Sequence, residues 1–253
     1  FNGENGVNLI ILQNLLYIFN GENGVNLIIL QNLLYIQNYC FTFAPMKISV
    51  IMPSLLEQFP DCSPHRPQRF IRAVDSYLTQ TYRDTELIII SDGCKRTIDI
   101  VRQNYNRHTE AGRIKLVELP RHVLFTGAVR QAGIDVASGD VLTNLDTDDT
   151  LEPHHLHNIA VSFDIKRYDW CYWNHRTCPD NIKDVDYIYD CQPEMEKICN
   201  GNIAWSRNLD VTWKNCNGRK DNQAFIAQLI DKYPNRVKIY GCGYVIRHVL
   251  FVK

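Results

Sequence analysis

A cluster of three aspartates directly follows an apolar run near the middle of the chain. The segment GDVLTNLDTDD occupies residues 139–149 and ends in Asp146, Asp148 and Asp149. Carboxylates this close repel one another and are costly to bury unless a cation joins them. Mg²⁺-type ions are usually held by one or two carboxylates and by substrate phosphates. The cluster therefore predicts a divalent metal, Mn²⁺ or Mg²⁺, and a phosphorylated ligand.

The same acids also fit a purely structural interpretation. They could form an acidic turn between a strand and a helix, with Asp149 or Thr150 capping the helix that follows. An Asp-x-Asp pair alone favours this second interpretation. The choice depends on what the rest of the chain places beside the cluster.

The segments before the acids alternate between apolar β-rich runs and runs of helical periodicity. The predicted strands are KISVIMP at 47–53, ELIIISDG, RIKLVELP and the run that ends in the acids. Helical spacing separates them in RFIRAVDSYLTQTY, TIDIVRQNYN and TGAVRQAGIDVASG. This alternation is typical of an α/β protein with a mainly parallel sheet.

Further polar side chains are predicted at the same edge of the sheet as the acids. Pro53 and Ser54 end the first strand and Asp92 ends the second, and ligands bind at the carboxyl ends of such strands. Asp92 could accept hydrogen bonds from a base or a ribose. Arg130 lies in the predicted helix before the strand that ends in the three acids. It could reach a diphosphate, or it could be a solvated helix residue.

In order and spacing, these segments resemble family 2 glycosyltransferases of the GT-A fold. The resemblance is carried by KISVIMPS, SYLTQTY, ELIIISDG, TGAVRQAGIDVASGD and LDTDD, over about residues 47–165. The Asp-x-Asp-Asp signature is intact, whereas Ser91-Asp92-Gly93-Cys94 keeps one of two usual acids and Gln131 replaces the usual Asn. The resemblance implies an α/β GT-A (Rossmann-like) fold, with a central mainly parallel sheet flanked by helices and a smaller C-terminal acceptor-side part.

For the donor, the resemblance implies a nucleotide-sugar pocket, with a UDP-sugar as the expected ligand. Asp92 would contact the nucleoside base, Pro53 and Ser54 would line that pocket, and Arg130 would approach the ribose or the phosphates. A glycan or another hydroxyl compound would be the acceptor, as in the synthesis of cell-surface polysaccharides.

The resemblance also implies a metal site beside the donor diphosphate. Asp148 would be the direct ligand of the Mn²⁺ or Mg²⁺ ion, with Asp146 and His248 as further candidate ligands. Asp146 and Asp149 would also contact the donor, and Asp149 would orient hydroxyl groups of the sugar or cap the next helix.

One acid in the second half of the chain is a candidate catalytic base. Asp221 begins a helix-like segment in NGRKDNQAFIAQLIDKYP. The family often has a Glu-Asp pair here whose Asp is the base, and this chain has Lys220-Asp221 instead. By resemblance, Asp221 would deprotonate the acceptor hydroxyl in an inverting displacement. An aspartate at this position also fits an N-cap.

The remaining features of the second half have structural as well as functional interpretations. Residues 177–200 are polar and predict a variable excursion with a hairpin around Val185–Tyr189. Trp205 and Trp213 fit either a platform for a sugar ring or core packing. The histidines of HHLH, at 154–157, predict a solvated helix start rather than a metal site.

Composition excludes several classes of protein. With 45% hydrophobic and 22% charged residues and a net charge of −1, the chain has no global field to recruit nucleic acid or anionic membranes. Nine cysteines without C-x-x-C spacing support neither a zinc site nor a disulfide framework and favour a reducing compartment. No apolar run reaches the roughly 18–20 residues of a transmembrane helix. A cytoplasmic location is expected, or a peripheral one at the inner face of a membrane.

The first 45 residues contain a perfect tandem duplication. FNGENGVNLIILQNLLYI occurs at 1–18 and again at 19–36, and the first Met is Met46. We expect an extension that is non-essential or poorly ordered, with two short amphipathic helices as the alternative. The predicted organisation is an extension at 1–45 and a GT-A domain at 46–253, comprising a nucleotide-sugar-binding half at 46–150 and an acceptor-side half at 151–253.

Two other functions fit parts of this pattern. The altered Lys220-Asp221 pair and the reduced Ser-Asp-Gly motif suit a protein that binds nucleotide-sugars without turnover. A metal-dependent nucleotidyltransferase also joins an α/β sheet to acids, but it would carry a Gly-rich basic loop after the first strand. PSLLEQFPDC, at 53–62, is not such a loop.

Overall fold

The computed structural model describes residues 46–57, 62, 65–121, 126–166, 168–183, 185–214 and 221–247. The strands are β1 Ile48–Ser54, β2 Thr85–Asp92, β3 Ile114–Leu119, β4 Val141–Asn144, β5 Thr150–Leu151, β6 Trp170–Thr177, β7 Tyr187–Tyr189, β8 Ile203–Ser206 and β9 Arg236–Ile246. The helices are α1 Arg66–Leu78, α2 Lys95–Asn104, α3 Asn106–Glu110, α4 Thr126–Asp135, α5 His155–Lys166 and α6 Asp221–Lys232, and a 3₁₀ turn spans Asn200–Asn202.

The strands form one sheet in the order β3-β2-β1-β4-β8-β6-β9-β5, and β7 pairs with β6. The first four strands are parallel, with Ile48 of β1 opposite Thr85 on one side and Val141 on the other. Beyond β4 the pairing is mixed: β8 is antiparallel to β4 and β6, whereas β9 runs parallel to β6. The predicted α/β class is confirmed, and its parallel part coincides with the alternating strand and helix runs of the first half.

The central strands β1 and β2 are covered on both faces of the sheet. Alternate residues of β1 enter different clusters, Val50 joining the one that contains Phe70 of α1 and Ile51 joining the one that contains Phe225 of α6. All eight residues of β2 are buried, as expected for a central strand that is covered on both sides. Burial of this kind explains why the parallel strands read as continuous apolar runs.

The two tryptophans that could have served as a sugar platform lie in the core. Trp205 and Trp213 are each 1% exposed. The ring of Trp213 stacks on Phe225 with centroids 4.3 Å apart, and Trp205 meets the same ring edge-on. Neither tryptophan offers a ring face to solvent, so the core interpretation holds.

The predicted solvated start of α5 is wrong for one of its histidines. His155 is 1% exposed and packs edge-on against Trp173 with ring centroids 4.9 Å apart. Burial lowers its pKa to about 3, so the ring is neutral. Adjacent residues of a helix point in different directions, and His155 is the one that faces the core.

A buried glutamate ties the amino-terminal ends of the parallel strands together. Glu86 of β2 accepts hydrogen bonds from the Ser49 hydroxyl at 2.6 Å and from the Ser138 N–H at 2.7 Å. The close approach of β4 to β1 at this point requires a glycine at 139, because a Cβ atom there would lie 2.6 Å from the backbone N of Ser49. These contacts fix the start of β4, the strand that carries the acid cluster at its other end.

Candidate active site at the carboxyl edge of the sheet

The acid cluster forms a tight turn between β4 and β5. Leu145 is fully buried, and its N–H donates to the carbonyl oxygen of Ile51 at 3.0 Å, which extends the sheet pairing to the edge. The N–H of Asp149 then donates to the carbonyl oxygen of Asp146 at 3.2 Å. Three carboxylates are thus held at the end of a rigid strand, as the sequence predicted.

Arg130 lies directly against the first of these acids. Its Nη2 donates to Asp146 at 2.8 Å, and its guanidinium lies 5.5 Å from the ring centroid of Trp213. The residue is only 4% exposed, so the alternative of a solvated helix residue is wrong. Its Nε and Nη1 atoms are buried without a hydrogen-bond partner among the described residues. A buried guanidinium whose N–H donors are not all hydrogen-bonded is suited to bind an anion.

Asp149 is the most deeply buried acid of the cluster. One carboxylate oxygen accepts a hydrogen bond from the Tyr244 hydroxyl at 2.9 Å, and the other accepts one from the backbone N–H of Arg247 at 2.9 Å. Burial raises its pKa well above the usual range, and the negative charges of Asp148 and Asp146 raise it further. Because these partners come from β9 and the residue after it, the carboxylate holds the turn against β9 and does not cap α5.

Asp148 occupies the outer side of the turn, where it is half-buried. Its carbonyl oxygen accepts a hydrogen bond from Nη2 of Arg72 at 3.3 Å. Arg72 belongs to α1, so the turn is held from that helix as well as from β9. Neither Arg72 nor Tyr244 was identified from the sequence, because a lone arginine or tyrosine carries no local signal of a contact so distant along the chain.

The ends of β1 and β2 lie beside each other at the same edge. Pro53 pairs in register with Ile90, and the buried Ser54 hydroxyl is 2.9 Å from the hydroxyl of Thr97. Asp92 is 7% exposed and forms an ion pair with Arg121, which follows β3. The sequence placed Asp92 correctly at this edge but did not identify Arg121.

A glycine makes possible the close approach of the segments that follow β2 and β3. Gly93 has a φ of +61°, and a Cβ atom there would lie 2.7 Å from the backbone N of Arg121. Both the backbone conformation and the lack of space therefore require glycine after Asp92.

Asp221 joins two helices. One carboxylate oxygen accepts hydrogen bonds from the Thr126 hydroxyl at 2.6 Å and from the Gly127 N–H at 3.0 Å, at the start of α4. The other accepts one from the N–H of Asn222 at 2.7 Å. Asp221 is 5% exposed and is the first residue of α6, and its carboxylate binds the start of α4, so the structure does not show the predicted N-cap of its own helix. Lys220 and His248 lie outside the described residues.

The acid turn supplies few protein ligands for a metal ion. Within the described ranges, no group of three or more His, Cys, Asp or Glu side chains could hold a metal ion. One or two carboxylates with substrate phosphates are, however, the usual protein share of a Mg²⁺-type site. Asp146 and Asp148 lie two positions apart in this turn, and both are half-buried rather than enclosed in the core. The acid turn therefore fits a cation that is shared with a phosphorylated ligand.

None of the helices that the structure describes is long and apolar enough to cross a bilayer. The carboxyl edge of the sheet combines the charged turn with the buried Arg130 and a second acid, Asp92.

Sequence comparison finds a family and a relative that match large parts of the chain. The family model described as "Glycosyl transferase family 2" matches residues 49–201. An uncharacterized glycosyltransferase of Nostoc sp. strain PCC 7120 is 32% identical over 119 residues, which is 47% of this chain and 33% of the relative. The chain therefore spans a third of the length of this curated relative.

Structural comparison finds GT-A glycosyltransferases with the same fold. S. aureus TarS 1–349 aligns with a TM-score of 0.62 at 16% identity, over 80% of this chain and 60% of that one. GalNAc-T7, solved with UDP, GalNAc and Mn²⁺, aligns with a TM-score of 0.61 at 14% identity, over 81% of this chain and 44% of that one. The GT-A fold predicted from the sequence is confirmed.

Proposed function

The chain belongs to glycosyl transferase family 2, and on that premise we propose that it transfers a sugar from a nucleoside-diphosphate sugar to a hydroxyl group of an acceptor. The matched residues, 49–201, contain every residue proposed above to contact the donor. The acceptor is proposed to be a glycan or another hydroxyl compound, presented by the second half of the chain.

The observation that carries this proposal is the contact between Arg130 and Asp146. A buried guanidinium donates to the acid turn and keeps two N–H-bearing nitrogens, Nε and Nη1, without a partner among the described residues. Donors of this kind leave a desolvation cost that an oxygen-rich anion would offset. A diphosphate supplies such oxygens, and Arg130 is proposed to bind it or the adjoining ribose.

A UDP-sugar is the proposed donor. S. aureus TarS 1–349 has been solved in complex with UDP and with UDP-GlcNAc, at TM-scores of 0.62 and 0.61 to this chain. Asp92 is proposed to contact the base, with Pro53 and Ser54 lining that part of the pocket. In this arrangement the ion pair of Asp92 with Arg121 would hold the carboxylate in place.

A divalent metal, Mn²⁺ or Mg²⁺, is proposed to be held by Asp148, with Asp146 as a second ligand and donor phosphate oxygens completing the set. When bound, such an ion supplies positive charge that stabilises the departing diphosphate. Asp149 keeps the turn in position through Tyr244 and Arg247, and is proposed to orient hydroxyl groups of the donor sugar from there.

An inverting displacement with Asp221 as base is the proposed chemistry. A carboxylate can take the proton of an acceptor hydroxyl while that oxygen attacks the sugar. The carboxylate of Asp221 accepts hydrogen bonds from the Thr126 hydroxyl and the Gly127 N–H. These hydrogen bonds also tie Asp221 to the start of α4, the helix that carries Arg130.

Thermal-shift measurements with a panel of nucleotide-sugars test the function. Each donor is added with Mn²⁺, with Mg²⁺ and with a chelator, because a ligand that binds only the native state raises the melting temperature by mass action. We expect a UDP-sugar to stabilise the protein in a metal-dependent way, and release of UDP from that donor to follow. A panel with no stabilising nucleotide-sugar would contradict the proposal.

A further inference from the structure

Two arginines of α1 converge on a single aspartate of the excursion that follows β6. Arg72 binds Asp180 through both terminal nitrogens, each at 2.9 Å from a different carboxylate oxygen. Arg69, one turn earlier, places its Nε 3.3 Å from the same carboxylate. The contact therefore contains two guanidinium groups and one carboxylate.

This contact borders the acid turn. Nη2 of Arg72 also donates to the carbonyl oxygen of Asp148, at 3.3 Å. The arginine pair therefore lies next to the turn at which the donor diphosphate is proposed to bind, on the side of α1.

The aspartate does not use all the hydrogen-bonding capacity of the pair. Arg69 is 6% exposed, and its Nη1 is buried without a hydrogen-bond partner among the described residues; the same holds for Nε of Arg72. A buried donor without an acceptor costs free energy, and charged donors cost more than neutral ones. An anion with more oxygens than one carboxylate would satisfy more of these donors.

We propose that Arg69 and Arg72 form an anion subsite beside the acid turn, which Asp180 occupies as an internal carboxylate and which a phosphate or carboxylate group of a substrate can take over. That the anion belongs to a substrate rests on the proposed function. The excursion around Asp180 then acts as an internal competitor for the subsite. Its displacement would open the α1 side of the turn when the anionic group arrives.

Binding of inorganic phosphate tests this subsite without a metal. The wild type and Asp180→Ala are titrated with phosphate by calorimetry in the presence of a chelator. We expect phosphate to bind Asp180→Ala about tenfold more tightly than the wild type, because the competing carboxylate is gone. Adding Arg72→Gln or Arg69→Gln to Asp180→Ala should abolish the gain.

A matched control separates loss of the carboxylate from loosening of the loop. Asp186, in the same excursion, pairs with Arg176 at 2.5 Å, and both side chains are 47% exposed. Asp186→Ala removes a carboxylate from the loop without removing the partner of Arg69 and Arg72, so it should leave phosphate affinity unchanged. Equal phosphate affinity in Asp180→Ala and the wild type, with both folded by circular dichroism, would overturn the subsite.

Two further titrations identify the source of the anion. If it is the second phosphate of the donor, Arg72→Gln should weaken UDP binding about tenfold and leave UMP binding unchanged. If it belongs to an acidic acceptor, glucuronate should compete with phosphate on Asp180→Ala while UDP binding is unaffected by Arg72→Gln. If the wild type binds UDP-sugars but Asp180→Ala gains no phosphate affinity, only the subsite is refuted. Phosphate binding without any nucleotide-sugar binding would refute only the proposed function.

Discussion

The hydroxyl of Tyr244 donates a hydrogen bond to a carboxylate oxygen of Asp149 at 2.9 Å, across 95 residues of sequence. The same hydroxyl accepts a hydrogen bond from the backbone N–H of Asp146 at 3.3 Å. A single phenol oxygen therefore holds both ends of the acid turn, and strand β9 fixes the geometry of the turn that leads from β4 to its own partner β5.

Removing this hydroxyl should destabilise the protein. Tyr244→Phe keeps the ring but leaves Asp149 with one partner fewer in a buried setting. We expect a loss of about 1–3 kcal/mol in the free energy of unfolding, measured by urea denaturation. Tyr240→Phe is the matched control: Tyr240 is 80% exposed, so its hydroxyl should contribute less than about 0.5 kcal/mol. Equal effects of the two substitutions would contradict the buried role of Tyr244.

Replacing the proposed metal ligand should separate metal-dependent from metal-independent donor binding. Asp148→Asn keeps the shape of the side chain and removes its charge, so the increase in donor affinity caused by Mn²⁺ or Mg²⁺ should disappear. Calorimetry with and without chelator measures this increase.

The control for this substitution lies at the other end of the same strand. Asp140→Asn changes an acid whose carboxylate accepts the N–H of Lys47 at 3.0 Å, far from the turn. It should keep the metal-dependent increase in full. If Mn²⁺ or Mg²⁺ still increases donor affinity in Asp148→Asn, the metal is held by other ligands.

Changing the proposed base should affect turnover more than donor binding. Asp221→Asn cannot accept a proton from the acceptor, so kcat should fall by about 10²–10⁴ while the Kd of the donor changes little. Steady-state kinetics and donor titration give the two quantities.

Thr126→Val provides the comparison for the structural role of Asp221. It removes one hydrogen bond to the Asp221 carboxylate and leaves the acid itself intact. If Asp221 mainly holds α4 and Arg130 in place, both variants should weaken donor binding, and the loss of kcat in Asp221→Asn should be no larger than in Thr126→Val. That outcome would argue against Asp221 as the base.

Glu86 should make stability depend on pH in the acid range. Burial raises its pKa, but hydrogen bonds from Ser49 and Ser138 outweigh burial and lower the pKa from 4.5 to about 2. Its contribution is therefore complete above about pH 4.5 and is lost as the pH falls through about 2. Glu86→Gln should cost about 1–3 kcal/mol at pH 7 and should flatten the stability profile between these two pH values.

Urea denaturation over a pH series checks this expectation. Glu118→Gln is a suitable comparison, because Glu118 is 45% exposed and pairs with Arg102 at the surface. It should change the free energy of unfolding at pH 7 by less than about 0.5 kcal/mol. It should also leave unchanged the slope of stability against pH between pH 2 and 4.5. A Glu86→Gln profile as steep as that of the wild type would show that other groups cause the acid sensitivity.

The parallel part of the fold could be predicted because its signals are local. Each strand from β1 to β4 is a short apolar run, and each ends where a proline or an acid begins. Asp92 and the three acids of the turn could therefore be placed at one edge from strand direction alone. The division of residues 46–253 at residue 150, and the non-essential nature of residues 1–45, stay predictions.

The partners of the site residues could not be predicted in the same way. Tyr244 and Arg72 reach the acid turn from 95 and 76 positions away, and no periodicity of the sequence marks either residue. Arg130 and His155 lie in helical segments whose polar residues predict solvent exposure. They are buried because of the strands and helices that the fold packs against them. Such contacts follow from tertiary packing and leave no trace in local composition.

The insertion of β8 beside β4 has a consequence for any attempt to divide the protein. Thr143 of β4 pairs with Ala204, so the parallel strands depend on a segment from the second half to complete their hydrogen bonds. A polypeptide that stopped at residue 150 would expose the unpaired N–H and C=O groups of β4 along an apolar strand. Such an edge is a template for self-association, so the first half would be expected to aggregate instead of persisting as a separate nucleotide-binding unit.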